Sequence, residues 1–182
     1  AIERRRQLLR AEAELEAARL IQQSLLPENE PVLRGFDIAS TLTPATETAG
    51  DFFDFIVPMT NIPGSPMGIA VGDVAGHGFG PAMVMAQTQA CLQAFSIVET
   101  KLGQVLARTN QVLTRSRNSI FVTMFLGYID HASKSLVYSS AGHPAHHIRC
   151  SGEVYELEAT GIPLGVDLET DWPESRSQPL EA

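Results

Sequence analysis

Two acidic residues stand beside glycine at the edge of apolar runs. They are Asp51 in Ala49-Gly50-Asp51-Phe52-Phe53-Asp54 and Asp73 in Gly72-Asp73-Val74-Ala75-Gly76-His77-Gly78. A carboxylate at a strand end next to glycine can face a cation with little side-chain bulk in the way, and glycine lets a main-chain carbonyl approach too. Hard divalent cations such as Mg2+ and Mn2+ prefer such oxygen donors. Taken singly, each Gly-Asp pair reads as a turn marker. Taken together, flanking hydrophobic strands and with the second opening a glycine-rich loop, they indicate a site. No nucleophile motif competes with it, since neither Cys91 nor Cys150 begins a Cys-x5-Arg phosphate loop.

Other residues have weaker claims. Asp54 fits either an outer-shell role, holding a cation's water, or a cap on its strand end. His143 reads as a residue that stabilises its own turn. His146 and His147 alternate across a strand and so make poor joint ligands. Gly76, Gly78 and Gly80 supply backbone freedom rather than a phosphate cradle.

The elements that must position these groups follow from periodicity. Residues 1–26 contain neither Gly nor Pro and are rich in good helix formers. Leu8, Ala11, Leu15, Ala18, Gln22 and Leu25 recur at alternating spacings of three and four, a coiled-coil seam broken by one polar residue. Pro27 ends the helix, because the residue before proline avoids the helical region. Two readings fit this helix: a dimerising linker, or an amphipathic helix packed on its own domain. Phe36–Leu42 alternates as a half-buried strand does, and a second strand runs through Gly50–Val57. Pro58–Pro66 is a loop, and Met67–Val71 a short buried strand that delivers Gly72-Asp73 at its end. Residues 79–98 and 101–116 are helices, the second with an apolar stripe of Leu102, Val105, Leu106, Val112 and Leu113. Ile120–Ile129, Ser135–Ser140, His146–Arg149 and Val154–Leu157 are strands joined by tight turns at His131–Lys134 and Ser151-Gly152. Closely spaced strands with helices paired between them predict an α+β fold with antiparallel sheets.

The totals exclude several classes. The 182 residues carry a formal net charge of −8, the wrong sign for a nucleic-acid or anionic-membrane binder. Hydrophobic residues at 44% suffice for a core without staples. Two cysteines without metal-type spacing read as reduced thiols of a cytoplasmic protein.

In these residues the chain resembles the SpoIIE/RsbU branch of the PPM-type serine/threonine phosphatases. The resemblance rests on matches in the right order: Ala18–Pro27 (ARLIQQSLLP), the Gly50–Asp54 and Gly72–Gly78 segments, Gly80-Pro81-Ala82-Met83, Phe121–Phe125, Ala141-Gly142-His143-Pro144 and Ile162-Pro163-Leu164-Gly165. It implies an α-β-β-α sandwich of two antiparallel sheets flanked by helices, with residues 1–26 a helical linker and 27–182 the phosphatase domain. It implies two Mn2+ or Mg2+ ions, bridged by Asp51, with Asp73 and the Val74 carbonyl on one of them, serving a water that attacks phosphorus in line. His77 lies in the loop where the eukaryotic branch carries a general acid, but its spacing from Asp73 differs, so an outer-shell or purely structural role is implied instead. No position matches that branch's phosphate-binding arginine. The implied substrate is a phosphorylated protein, an anti-sigma-factor antagonist with a STAS domain, and the implied regulator is an upstream sensor or receiver domain acting on a homodimer.

The pattern breaks near the end. The family's further metal aspartates include an Asp-Gly pair, and this chain has none: Asp130, Asp167 and Asp171 precede His, Leu and Trp. The expectation is a domain lacking its C-terminal part. The rivals are a catalytically inactive relative that binds its partner, and a dimeric signal-relay module. The seam itself is testable. Replacing Leu8 and Leu15 with Glu yields a monomer in sedimentation if the helix dimerises; a double mutant that stays dimeric identifies a helix packed on its own domain.

Overall fold

The structure, a computed structural model, describes residues 2–33, 35–43, 50–56, 66–115, 120–130, 133–149 and 151–180. The side chains of Ile2, Leu8, Ala11, Glu12, Glu14, Leu15, Ala18 and Ile21 lie outside that description. Helix α1 spans Ile2–Leu25; strands β1 (Phe52–Ile56) and β2 (Gly68–Val74) follow, then helices α2 (Phe79–Val98) and α3 (Leu102–Arg115). The chain continues through β3 (Val122–Asp130), β4 (Ser135–Ala141), β5 (Ala145–Ile148), β6 (Val154–Leu157) and the two-residue β7 (Ser175–Arg176). Two antiparallel sheets result, one of five strands in the order β1-β2-β3-β4-β7 and a hairpin of β5 and β6. The architecture is α+β, as the pattern of elements implied.

Helices α2 and α3 bury one face of the large sheet. Leu102, Val105, Leu106 and Leu113 on α3 and Val84, Met85 and Leu92 on α2 meet Phe52, Ala70, Met124 and Leu126 from the strands. The apolar stripe read from α3 is this core face, with Val112 only half-buried at its flank. The opposite face of β3 and β4 presents Phe125 and Tyr138, stacked with centroids 5.2 Å apart, and Leu157 of the hairpin packs over them. The C-terminal segment is drawn across α3: Trp172 is fully buried and its Nε1 donates to the Ile162 carbonyl at 2.8 Å. Glu174 accepts from the Leu102 amide at 2.9 Å, satisfying an orphan donor in the first turn of α3.

The strand expected at Phe36–Leu42 is not formed. Phe36, Ile38, Ser40 and Leu42 are half-buried while Asp37, Ala39 and Thr41 are exposed, so the alternation is real. It records two faces of an extended chain, but a strand also needs a hydrogen-bonded neighbour, and none pairs with this segment among the described residues. The inter-strand loop expected at 58–66 falls almost wholly outside the described residues, as does the first half of the turn at 131–134.

Strand β1 alternates strictly, with Phe52, Asp54 and Ile56 buried against the helices. A carboxyl group in that row needs partners. Asp54 accepts from Gln93 Nε2 at 2.8 Å, from Gln89 Nε2 at 3.2 Å and from the Phe55 amide at 2.8 Å. Gln89 Nε2 also donates to the Leu25 carbonyl at 2.6 Å, which fixes the last turn of α1 to α2. Two acceptors around one nitrogen settle the orientation of the Gln89 amide. The seam residues Leu8, Ala11, Leu15 and Ala18 lie outside the described side chains, while Leu9 and Leu20 are exposed. Replacing Asp54 with Ala leaves the buried Gln89 amide short of an acceptor. Denaturant unfolding should report a loss of about 2 kcal/mol, with most of it restored in Asp54→Asn.

Candidate metal centre

The β1–β2 register builds this site. Phe52 pairs with Gly72, and the Val74 amide donates to the Gly50 carbonyl at 3.2 Å, so Asp51 stands opposite Asp73. Opposed residues of an antiparallel pair share a face. Both carboxyl groups therefore project from the sheet side that α2 and α3 do not cover. The next partner across the sheet is Thr123, registered with Asp73. Its Oγ1 lies 2.9 Å from His143 Nδ1 and 3.4 Å from the Asp73 carbonyl oxygen. Asp51, Asp73, Thr123 and His143 thus form a row running across strand ends.

The electrostatics of the row are unbalanced. Asp73 is held above the ordinary carboxylate range, first by partial burial, then by the charge of Asp51 and by a hydrogen bond shared with it. Among the described residues neither carboxylate takes part in an ion pair. Burial pushes the His143 imidazole below its usual value, and the Asp51 charge opposes that shift.

Glycine keeps the approach open. A Cβ on Gly50 would collide with the Val74 carbonyl oxygen and come within 3.0 Å of Asp73 Oδ1. Gly72 serves the other face of the sheet, since a Cβ there would lie 2.7 Å from the Met124 methyl group and 2.8 Å from the Phe52 ring, both in the core. Gly76 and Gly78, at φ of 100° and 92°, turn the chain from β2 into α2 through backbone conformations that other residues avoid.

Asp51, Asp73 and the Val74 main chain are therefore brought together, whereas Asp54 and His77 are not. Asp54 points to the opposite face of β1 and is occupied by glutamines. His77 is exposed in the loop after β2. His143 does not use its ring to hold its turn: Ser140 Oγ does that, donating to the His143 carbonyl at 2.9 Å and accepting from its amide at 3.3 Å. The imidazole is thereby free to line a cleft of about 510 Å3 together with Asp51, over a floor of Phe53, Phe55, Ile69 and Val71. Thr123 was visible in the sequence only as a polar residue interrupting Phe121–Phe125.

Two facing carboxyl groups without a cationic partner, beside a carbonyl exposed by glycine, make a donor set that suits a hard dication. No third His, Cys, Asp or Glu joins them to complete a cage among the described residues.

Comparison with known proteins gives this geometry a context. Residues 63–180 match the sequence profile of the family described as stage II sporulation protein E (SpoIIE). The chain is 29% identical over 163 residues to the phosphoserine phosphatase RsbU of Bacillus subtilis, covering 88% of this chain and 47% of that protein. It thus spans about half the length of that relative. The structure of the RsbU and RsbW domains of Rv1364c from Mycobacterium tuberculosis is 27% identical, with a TM-score of 0.63 over 75% of this chain and 37% of that one. The SiaA-PP2C domain of Pseudomonas aeruginosa shares the fold at a TM-score of 0.72 and 20% identity, covering 96% of this chain and 69% of its own.

The role of Gly50 can be isolated. In Gly50→Ala, the Val74 carbonyl and Asp73 must move apart, and Mn2+ affinity measured by calorimetry should fall at least about tenfold, the loss expected when ligands are misoriented. Gly80→Ala, in the first turn of α2 with only Ile120 at 4.0 Å, should leave binding unchanged.

Proposed function

The chain belongs to the family of stage II sporulation protein E (SpoIIE), and from that premise we propose that it is a metal-dependent phosphatase acting on phosphoserine or phosphothreonine in a partner protein. The observation that carries the proposal is the placement of Asp51 opposite Asp73, two like charges left for a cation to neutralise. In this reading Asp51, Asp73 and the Val74 carbonyl would hold the ions, with Asp51 serving both. Bound Mg2+ or Mn2+ supplies Lewis acidity to the phosphoryl oxygens and acidifies water for in-line attack. The protein's own contribution is to hold the two carboxylates at fixed separation on rigid strands. Gly50 lets its own backbone lie close to Asp73 and the Val74 main chain, where a side chain would collide with both. No covalent phosphoenzyme is required, in keeping with the lack of a cysteine phosphate loop.

The substrate in this reading is an anti-sigma-factor antagonist in a cytoplasmic partner-switching circuit. Support comes from the similarity to RsbU, a protein named as a phosphoserine phosphatase, and from a solved relative that joins RsbU and RsbW domains. Residues 1–26 would form the dimeric linker that brings a sensor's signal to a domain at 27–182, and the bond between Gln89 and the end of α1 is a route for it. A second reading, a partner-binding relay without hydrolysis, is favoured by the convergence of only two carboxylates among the described residues. Asp73→Asn separates the two. It preserves shape and removes a charge, so release of phosphate from a phosphoserine protein by the intact protein should fall by about two to three orders of magnitude with thermal stability unchanged. Equal activity of the Asp73→Asn and unaltered proteins would place the chemistry elsewhere, and no activity in either would favour the relay.

A further inference from the structure

Thr123 Oγ1 makes two contacts, and together they set the direction of a chain of hydrogen bonds. It lies 2.9 Å from His143 Nδ1 and 3.4 Å from the Asp73 carbonyl oxygen. A carbonyl oxygen can only accept, so the hydroxyl proton goes to Asp73. The same hydroxyl oxygen then accepts from the ring, which places the imidazole proton on Nδ1. A neutral ring protonated on Nδ1 has a bare lone pair on Nε2. Burial favours that neutral form by pushing the imidazole below its usual value. The turn does not need the ring, because Ser140 holds it, and Gly142 at φ of 66° lets the chain carry the ring to the cleft wall. Nε2 has no partner among the described residues and is not one of their buried unpartnered atoms, so it opens onto the cleft. Among the described residues, Asp51 and His143 are the titratable side chains lining that cleft. Asp51 is committed to cations in the phosphatase reading, while a water that attacks phosphorus must shed a proton. Nε2 is the base left to take it.

We propose that His143 is a catalytic residue of this site, its Nε2 accepting a hydrogen bond and then a proton from the attacking water beside Asp51. The proposal rests on the phosphatase reading for the identity of the reaction. As the water oxygen bonds to phosphorus, one of its O–H bonds breaks and the proton passes to Nε2. The serine or threonine oxygen leaves with the electron pair of the broken P–O bond and takes a proton from solvent, to which the imidazolium later returns its own. Thr123 is the positioning residue, holding the tautomer by accepting from Nδ1.

The test has one arm that needs no turnover. Ring nitrogen-15 spectra of the intact protein should show His143 protonated on Nδ1, and bound Mg2+ should shift the bare Nε2 as ordered water donates to it. Thr123→Val, which keeps a β-branched residue in the strand, should give a mixture of tautomers, and Thr123→Ser should restore one. A proton on Nε2 in the unaltered protein, or an Nε2 that ignores bound Mg2+, overturns the proposal. In the kinetic arm, His143→Ala should lose about 100-fold in kcat with its melting temperature retained, and added imidazole should recover part of it. Unchanged kcat in an active His143→Ala protein, or a loss that imidazole leaves untouched, overturns the assignment while leaving the phosphatase reading intact. A protein without turnover that nonetheless shows the Mg2+-dependent Nε2 shift retains the His143 acceptor and loses only the hydrolytic reading.

Discussion

The site depends on one pairing, the antiparallel register of β1 with β2. That register sets two carboxyl groups side by side with no positive group paired to them among the described residues, an arrangement that isolated strands would relax by sliding or twisting apart. A slip by one residue would turn every side chain of β1 to the other face, exposing Phe52 and Ile56 and burying Phe53 and Phe55. The core opposes this because Phe52 and Ile56 are locked against α2 and α3 while Gly72 leaves a notch that the Phe52 ring fills. Hydrophobic burial on one side of the sheet thus holds electrostatic frustration on the other.

Asp54 reinforces the same constraint by different means. It sits three residues along β1 from Asp51 and ties the strand to α2 through Gln89 and Gln93. Gln89 reaches on to the end of α1, so one buried amide on the second helix touches the first helix and the strand that follows Asp51. Polar contacts of this kind contribute less stability than an equal volume of hydrocarbon, but they admit fewer alternative geometries. The position of Asp51 is therefore specified from behind the sheet.

Much of this was legible in the residues themselves. The limits of α2 were read correctly as 79–98, the buried stripe of α3 followed from apolar periodicity, and β6 from the turn at Ser151-Gly152 before it. The pairing of Asp51 with Asp73 was suggested by glycine beside each carboxylate, because strand ends near cations need small neighbours. Where the reading failed, the cause was non-local. The segment 36–42 has the period of a strand but lacks a ladder, and period reports faces rather than partners. Strand β7 is too short to have a period. Asp54 shares the parity of Phe52 and Ile56, a signal that it faces the core, yet its glutamine partners lie in a helix far along the chain. The link from Thr123 to His143 requires the β2–β3 register and the turn after β4 at once, and neither is encoded near either residue.

Trp172 has a use that extends beyond packing. It is the only tryptophan in the chain, it has no solvent exposure, and its backbone carbonyl accepts from Ser139 of β4 while its ring is bonded to Ile162. The close approach of that carbonyl to Gly103 presses the segment onto the start of α3. Intrinsic fluorescence excited through this one indole is thus an optical gauge of a single seam, where the C-terminal wrap meets the sheet and the third helix. Any emission change on adding cation or partner would report that distant seam rather than the acidic row, and would do so without a dye or label.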